Sequence, residues 1–298
     1  MKEIPKFRLF ERPLVFSHLN EPDILKKINN SDFMQNIISS FQDYDNLYII
    51  TTFFEGKYLK YFKMINLTEE QIKFMSACVI QALTLLRKKK IIHRDIKMEN
   101  IIMDKDKYFN LIDFSFSIKY KNKDNKQAYI IPYEKASPPE MLNFSEYDYN
   151  SDYYRLGTII YFFIFKTYPS NIKREMNNNN VIVDNNGLKN FSKNCIDFMN
   201  KLIIYDYKKR IGYNNINELK IHPWFKGFDW NKLKTRQIIS PFHFVPNNNN
   251  NKCLKLNLSL INLEKFKHLS KKNFYKNLIN NFDYINDEKI KGINIYKI

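Results

Sequence analysis

Glycine is scarce in this chain and missing from its beginning. There are six glycines, and the first of them is Gly56. Loops that hold phosphates through backbone amides rely on glycine, because a Cβ atom would keep the backbone away from the ligand. The sequence therefore has no glycine-rich phosphate loop ahead of residue 56.

Signals for export or membrane insertion are also lacking. The three cysteines are widely spaced, which favours a reducing compartment and argues against a zinc module. Residues 1–6 carry charges and a proline where a signal peptide has an apolar core. The longest apolar run, 156–165, is too short to span a bilayer and predicts a buried helix. We expect no transmembrane segment and a soluble protein in the cytoplasm, with the nucleus left open.

Acidic residues are outnumbered, with 31 Asp and Glu against 48 Lys and Arg and a formal net charge of +17. Such a balance could indicate binding to nucleic acid or to an acidic membrane face. The basic residues, however, are spread along the chain, and asparagine runs at 177–180 and 247–251 accompany them. A solvated basic surface is the favoured interpretation, and a preference for acidic partners stays open.

Phosphoryl-transfer chemistry is indicated by the run Ile-Ile-His-Arg-Asp-Ile-Lys-Met-Glu-Asn at 91–100. Catalysis of that reaction depends on positioning phosphates and neutralising their charge. Asp95 can orient an acceptor hydroxyl and take its proton. Lys97 lies two residues further on, where alternation in an extended loop returns it to the same side, and it can offset charge on the transferring group.

Two oxygen donors nearby predict a magnesium site. Asn100 closes the run, and Asp113 follows in Leu-Ile-Asp-Phe at 111–114. Amide and carboxylate oxygens suit Mg²⁺ when substrate phosphates and water complete its coordination. A His-Arg-Asp tripeptide alone occurs by chance in many chains, but the whole ordered set matches a known kinase signature.

Hydrophobic spacing predicts the main elements. A hairpin is expected around a turn at 41–45 and ends near Thr51. Helices are expected at about 69–87, at 154–165 and at 192–205. Thr68 is the expected cap of the first helix, and Cys195 is expected to face the core from the third. The asparagine-rich stretches at 176–186 and 246–252 are interpreted as loops or insertions.

The order of segments from Lys2 to Tyr284 resembles a eukaryotic protein kinase. Several landmarks are similar to the group that includes the cyclic-nucleotide-dependent and phosphoinositide-dependent kinases. They are residues 20–25, 41–48, 138–140, 152–157 and 209–212, and then 222–225, 229–230, 240–242, 245–246 and 281–284. The last of these is similar to a tail segment that covers the adenine pocket.

The resemblance implies specific roles. Lys2 precedes Glu21 by 21 − 2 = 19 positions, as do the family's phosphate-binding lysine and the glutamate that holds it. Counting from the hairpin puts Thr51 at the position beside the adenine pocket and gives the backbone of Thr52 and Phe54 to the adenine edge. The implied cofactors are ATP and Mg²⁺, and the implied structural residues are Arg94, Glu140, Asp152 and Arg210.

The resemblance also implies an α+β, two-lobed fold, with a truncated small β-rich lobe and a mainly helical large lobe. Residues 1–53 would be the partial small lobe, 54–230 the large lobe and 231–298 a C-terminal tail with an asparagine-rich insertion. We expect that the small lobe begins midway, either because the gene model is incomplete or because the protein has lost the first strands.

Departures from the family pattern limit what carries over. Ser115 stands where the family has glycine, and no threonine occurs between Asp113 and Glu140. The hydroxyls left in that interval for phosphorylation include those of Ser115, Ser117, Tyr120 and Tyr129. The mode of regulation is therefore not implied. The substrate preference is not implied either, because the family residue that recognises a basic side chain of the substrate has no clear match near residues 56–58.

The expected activity is that of a serine/threonine protein kinase acting on protein substrates. A regulatory subunit or an upstream kinase is a candidate partner, and no specific nucleic acid is expected. The alternative is a catalytically impaired pseudokinase or scaffold, favoured by the missing glycine loop and by Ser115.

Overall fold

The computed structural model describes residues 1–6, 19–120, 137–142, 148–169, 190–243, 282 and 284–285. The chain divides into two compact units. The first contains residues 1–31, 35–53 and 247–298, and the second contains 32–34 and 54–246. No helix in the described ranges combines the length and the apolar character that a membrane span requires.

Strands and helices alternate irregularly along the described chain, so the predicted α+β class is confirmed. The strands are β1 Lys2–Pro5, β2 Ile37–Gln42, β3 Asn46–Thr51, β4 Gly56–Tyr58, β5 Ile91–Ile92, β6 Ile101–Asp104, β7 Phe109–Leu111, β8 Ile118–Lys119 and β9 Tyr284–Ile285. The helices are α1 Glu21–Lys27, α2 Glu69–Lys88, α3 Pro139–Leu142, α4 Asn150–Phe165, α5 Lys193–Leu202, α6 Asn217–Ile221 and α7 Trp230–Lys234.

The first unit contains an antiparallel sheet with the strand order β1-β3-β2-β9 in its described part. The predicted hairpin is β2 and β3, although residues 41–42 belong to β2 and the turn is shorter than expected. Asp43 shapes that turn, because its Oδ1 accepts from the backbone N–H groups of Asp45 and Asn46 at 2.9 and 2.7 Å. A carboxylate that satisfies two turn amides fixes a tight reversal.

Part of the tail also belongs to the first unit. Strand β9 pairs with β2, and the Ser40 hydroxyl donates to the backbone carbonyl of Phe282. The Tyr284 hydroxyl accepts from the Asn29 side chain at 3.3 Å. The segment thus lies against β2 and the end of α1, and its expected role at the adenine pocket stays a prediction. Asn281 and Asp283 lie outside the described residues.

Helix α2 runs through the second unit almost as predicted, from Glu69 to Lys88. Thr68 caps it in a capping box with Gln71, at 3.2 Å to the Gln71 N–H and 3.0 Å in return. The predicted buried helix is α4, which begins earlier than expected, at Asn150. A Cβ at Gly157 would lie 2.7 Å from Leu202 Cβ, so glycine allows α4 and α5 to pack closely.

Helix α5 is shorter than the predicted span of 192–205. Ser192 is its cap and the helix ends at Leu202. The carbonyls of Ile204 and Tyr205 instead accept hydrogen bonds from Arg210, at 2.7 and 3.2 Å. Cys195 is buried as expected, and burial raises the pKa of its thiol. The stretches at 176–186 and 246–252 lie outside the described residues.

Candidate active site

The loop that carries Asp95 leaves strand β5 and enters β6 through a single 3-10 turn, Met98–Asn100. Strand β5 pairs with β8, and the Tyr120 N–H donates to the Lys90 carbonyl at 2.7 Å. Strands β6 and β7 form a hairpin that returns the chain to this loop. The Ile112 N–H then donates to the Asn100 carbonyl at 2.9 Å. Backbone pairing therefore brings residues 111–113 beside the loop.

Asp152 anchors the start of the loop from helix α4. Its two carboxylate oxygens accept from the backbone N–H groups of His93 and Arg94, each at 2.8 Å. Burial raises the pKa of Asp152 to about 6, while those two N–H donors act in the opposite direction. Arg94 is buried, has a positive φ of 66° and donates from Nε to the Phe116 carbonyl at 2.6 Å. The loop is thus held at its backbone.

Three of the predicted catalytic and metal-binding residues lie together in the structure. Lys97 Nζ is 3.0 Å from Asp95 Oδ2. Asn100 donates from Nδ2 to the same carboxylate oxygen at 2.7 Å and to the Asp95 backbone carbonyl at 2.9 Å. Asp95 is only 3% exposed. A cation and an amide therefore orient one buried carboxylate, which is the arrangement a positioned base requires.

Oxygen donors suitable for Mg²⁺ follow from the same contacts. Because Asn100 directs both Nδ2 hydrogens at Asp95, the direction of its Oδ1 is fixed. Asp113 has a φ of +61°, and its Oδ1 accepts from the Ser115 hydroxyl and from the Ser115 N–H at 3.3 Å. No group of three His, Cys, Asp or Glu residues that could hold a metal occurs among the described residues. An amide and a carboxylate fit a magnesium ion whose other ligands are phosphate and water.

Glu140 and Arg210 form a buried bidentate ion pair. The two N–O distances are 2.5 and 2.6 Å, and the side chains are 2% and 0% exposed. The Ser151 hydroxyl adds a 3.0 Å hydrogen bond to Glu140. This pair connects α3 to the segment after α5, as the resemblance implied. The interval 121–136 lies outside the described residues, so the phosphorylation candidate Tyr129 is not placed.

Lys2 and Glu21 meet in the first unit. The Lys2 ammonium lies 2.8 Å from Glu21 Oε2, and the glutamate side chain is buried. The Thr52 N–H donates to the Asn36 carbonyl at 2.8 Å. Any contact from the Thr52 backbone to adenine would therefore use its carbonyl oxygen. Phe54 belongs to the second unit.

His93 is a functional residue that sequence reasoning left without a role. The Asp95 N–H donates to His93 Nδ1 at 3.3 Å, so Nε2 carries the proton and donates to the Ile112 carbonyl at 3.2 Å. Its ring packs edge-on to Phe114, with centroids 4.8 Å apart. The available signal was a histidine two positions before Asp95 together with an aromatic residue directly after Asp113.

A family model and several curated proteins match most of this chain. The family described as "Protein kinase domain" matches residues 2–225. A probable serine/threonine-protein kinase of Dictyostelium discoideum is 31% identical over 249 residues, which cover 81% of this chain and 54% of the relative. Protein kinase 2 of the same organism is 29% identical over 251 residues, 83% of this chain and 51% of the relative.

More distant species contribute similar matches. Human rhodopsin kinase is 27% identical over 262 residues, covering 81% of this chain and 45% of the relative. The chain thus spans about half the length of the curated relatives it matches.

Proposed function

The chain belongs to the protein kinase family, and from that premise we propose that it is a serine/threonine protein kinase. It would transfer the γ-phosphate of ATP to hydroxyl groups of protein substrates. The observation that carries the proposal is the contact of Lys97 and Asn100 with the buried carboxylate of Asp95. The similar probable serine/threonine-protein kinase of Dictyostelium discoideum supports serine and threonine as the acceptor residues.

Asp95 is proposed as the catalytic base. It would accept a hydrogen bond from the substrate hydroxyl and take its proton as the new phosphate ester forms. Lys97, 3.0 Å from Asp95 in the structure, would hold the transferring phosphoryl group and offset its charge. Asn100 and Asp113 would hold Mg²⁺, which would neutralise charge on the phosphate oxygens. Asp152 contributes by holding the backbone that carries the base.

The nucleotide-binding part of the proposal adds four residues. Lys2, held by Glu21 at 2.8 Å, would contact the phosphates. The backbone carbonyl of Thr52 and the backbone of Phe54 would contact the adenine edge. This assignment rests on the spacing of the family motifs and on the ion pair within the first unit.

A finer assignment, to the group that includes the cyclic-nucleotide-dependent and phosphoinositide-dependent kinases, is also proposed. It is supported by the ordered landmarks toward the C-terminus and by similarity to rhodopsin kinase, a ribosomal protein S6 kinase and a cGMP-dependent kinase. We also propose that the lobes divide at residue 53 and that the tail begins after residue 230. A regulatory subunit or an upstream kinase is the proposed partner, and the proposed location is the cytoplasm. The pseudokinase alternative is not favoured, since every large-lobe catalytic position is occupied by a suitable residue.

Replacing Asp95 tests the proposed function. Full-length protein is incubated with radiolabelled ATP, Mg²⁺ and a library of peptides that carry serine or threonine. Asp95→Asn should lower the transfer rate by about 100-fold to 10,000-fold, because the amide cannot accept the proton. ADP affinity, measured by calorimetry, should stay within about threefold, since Asp95 is assigned to the acceptor and not to the nucleotide.

The matched control is Asp106→Asn, which makes the same change at an exposed residue in the β6–β7 turn. Its transfer rate should equal that of the unmodified protein. ADP binding without any transfer by the unmodified chain would support the scaffold alternative instead. Transfer that survives Asp95→Asn unchanged would contradict the assignment of the base.

A further inference from the structure

Residues 114–117, which follow Asp113, pack against the catalytic loop and are hydrogen-bonded to it. Phe114 is fully buried against the His93 ring. The Ser117 N–H donates to the Phe114 carbonyl at 3.0 Å, and the Phe116 carbonyl accepts from Arg94 at 2.6 Å. Any rotation that carried Asp113 away from the loop would have to break these contacts.

Ser115 acts directly on the Asp113 carboxylate within that segment. It is 1% exposed, and both its hydroxyl and its N–H donate to the same oxygen, Asp113 Oδ1. A hydrogen bond from a hydroxyl to a carboxylate is stronger than one between neutral groups. A glycine at this position could provide only the N–H donor. The serine therefore adds a side-chain restraint that the family's usual residue lacks.

We propose that Ser115 is a positioning residue that holds the Asp113 carboxylate ready for Mg²⁺. The inference rests on the proposed function, because it takes Asp113 as a metal ligand. Two donors on Oδ1 restrict the rotation of the carboxylate. A ligand whose torsion is fixed beforehand loses less conformational freedom when the ion binds.

The magnesium dependence of ADP binding to the full chain measures this effect without requiring turnover. Calorimetric titrations at increasing Mg²⁺ give the concentration at which ADP binding is half-maximally strengthened. Ser115→Ala removes the hydroxyl and keeps the N–H. It should raise that magnesium concentration about 3-fold to 10-fold, as expected for the loss of one hydrogen bond to a charged group. ADP affinity without Mg²⁺ should change less than about twofold, because Ser115 is not assigned to the nucleotide.

Two variants separate positioning from stability. Ser115→Gly removes the same hydroxyl and adds backbone freedom, so its magnesium requirement should be at least that of Ser115→Ala. Ser117→Ala is the matched control, because Ser117 is also 1% exposed but its hydroxyl donates to the His93 carbonyl at 3.3 Å. This control should lower thermal stability without changing the magnesium requirement.

Asp113→Asn distinguishes failure of the inference from failure of the proposed function. If Asp113→Asn weakens the magnesium dependence but Ser115→Ala does not shift it, the inference is overturned and the metal site stands. An equal shift in Ser117→Ala would overturn the inference too. If Asp113→Asn leaves the magnesium dependence intact, or ADP does not bind at any magnesium concentration, the proposed function is contradicted and the inference is rejected with it.

Discussion

Asp95 and Lys97 show how much a short stretch of sequence can specify at the residue scale. In extended backbone, residues two positions apart point to the same side, and the two side chains indeed meet at 3.0 Å. The additional contact from Asn100 was not predicted. It requires the 3-10 turn Met98–Asn100, which reverses the side chain toward Asp95 and which spacing alone does not indicate.

Asp152 is the residue whose surroundings matter most for the loop. The resemblance implied a structural role for it, but the pairing of each carboxylate oxygen with one backbone N–H depends on helix and loop packing together. Burial disfavours the ionised form and raises the pKa of this carboxyl to about 6. The unfolded chain should have the ordinary value near 3.8.

This difference predicts a pH dependence of stability. Below about pH 4 the carboxyl is protonated in both states, and its contribution to the folded state is complete. As pH rises to about 6, the unfolded state ionises first and the folded state loses stability. Chemical denaturation should show that the unfolding free energy of the natural protein, relative to Asp152→Asn, falls by roughly 3 kcal/mol across this interval.

A second variant checks the origin of the slope. Asp152→Ala lacks the ionisable group too. The unfolding free energy of the natural protein relative to this variant should therefore fall with pH by the same amount, although Asp152→Ala should be less stable than Asp152→Asn at every pH. A stability difference that instead grew between pH 4 and pH 6 would show that the pKa of Asp152 is lowered by its hydrogen bonds, contrary to the value of about 6.

At the scale of elements, a capping hydroxyl made the beginnings of α2 and α5 predictable, whereas α4, which has no such cap, begins earlier than predicted. Thr68 caps α2, and Ser192 caps α5, because a hydroxyl next to a helical sequence can satisfy the first free N–H groups. The end of α5 was predicted too late. Hydrophobic spacing continues through Ile203, but the helix does not continue. Arg210 instead donates hydrogen bonds to the carbonyls of Ile204 and Tyr205.

The capping box of α2 can be tested directly. Thr68→Ala removes the acceptor for the Gln71 N–H and should lower the unfolding free energy by about 1 kcal/mol. Gln71 also donates to the Pro241 carbonyl at 3.2 Å, so the loss should extend to the segment that follows α7. Hydrogen exchange should show faster exchange of the first amides of α2.

Thr84→Ala is the matched control within the same helix. The Thr84 hydroxyl donates to the Ile80 carbonyl at 2.7 Å and caps nothing. Alanine has the higher helix propensity, so this variant should be neutral or slightly stabilising. Equal destabilisation by the two substitutions would mean that the box contributes nothing specific to α2.

At the scale of the whole molecule, net charge is the property that the sequence states most directly. A formal charge of +17 at pH 7 sets up repulsion that opposes the compact state. Ion pairs such as Lys2–Glu21 and Arg210–Glu140 oppose it locally. Salt screens exposed charges far more than buried pairs. The salt dependence of stability therefore measures the balance between net repulsion and attraction within ion pairs.

Raising NaCl from 50 to 300 mM at pH 7 should therefore increase the melting temperature, by roughly 2–4 °C if screening is worth about 1 kcal/mol. Scanning calorimetry gives the measurement. At pH 9.5, near the sequence isoelectric point of about 9.5, the increase should vanish. A melting temperature that falls with salt at pH 7 would show that attractive surface pairs outweigh the repulsion.

Sequence alone predicted helix α2 and the hairpin of β2 and β3, because spacing and local caps encode features that neighbouring residues share. The α+β class followed from the resemblance to protein kinases, and the roles of the reacting side chains stay a proposal. Tertiary structure decided the contacts on which those side chains depend. Asp152 reaches His93 across 59 positions and Arg210 reaches Glu140 across 70. Such pairs form when packed elements exclude water, because a buried charge must then be paired or hydrogen-bonded. The orientation of Asp113 by Ser115 likewise exists only because packing buries that segment.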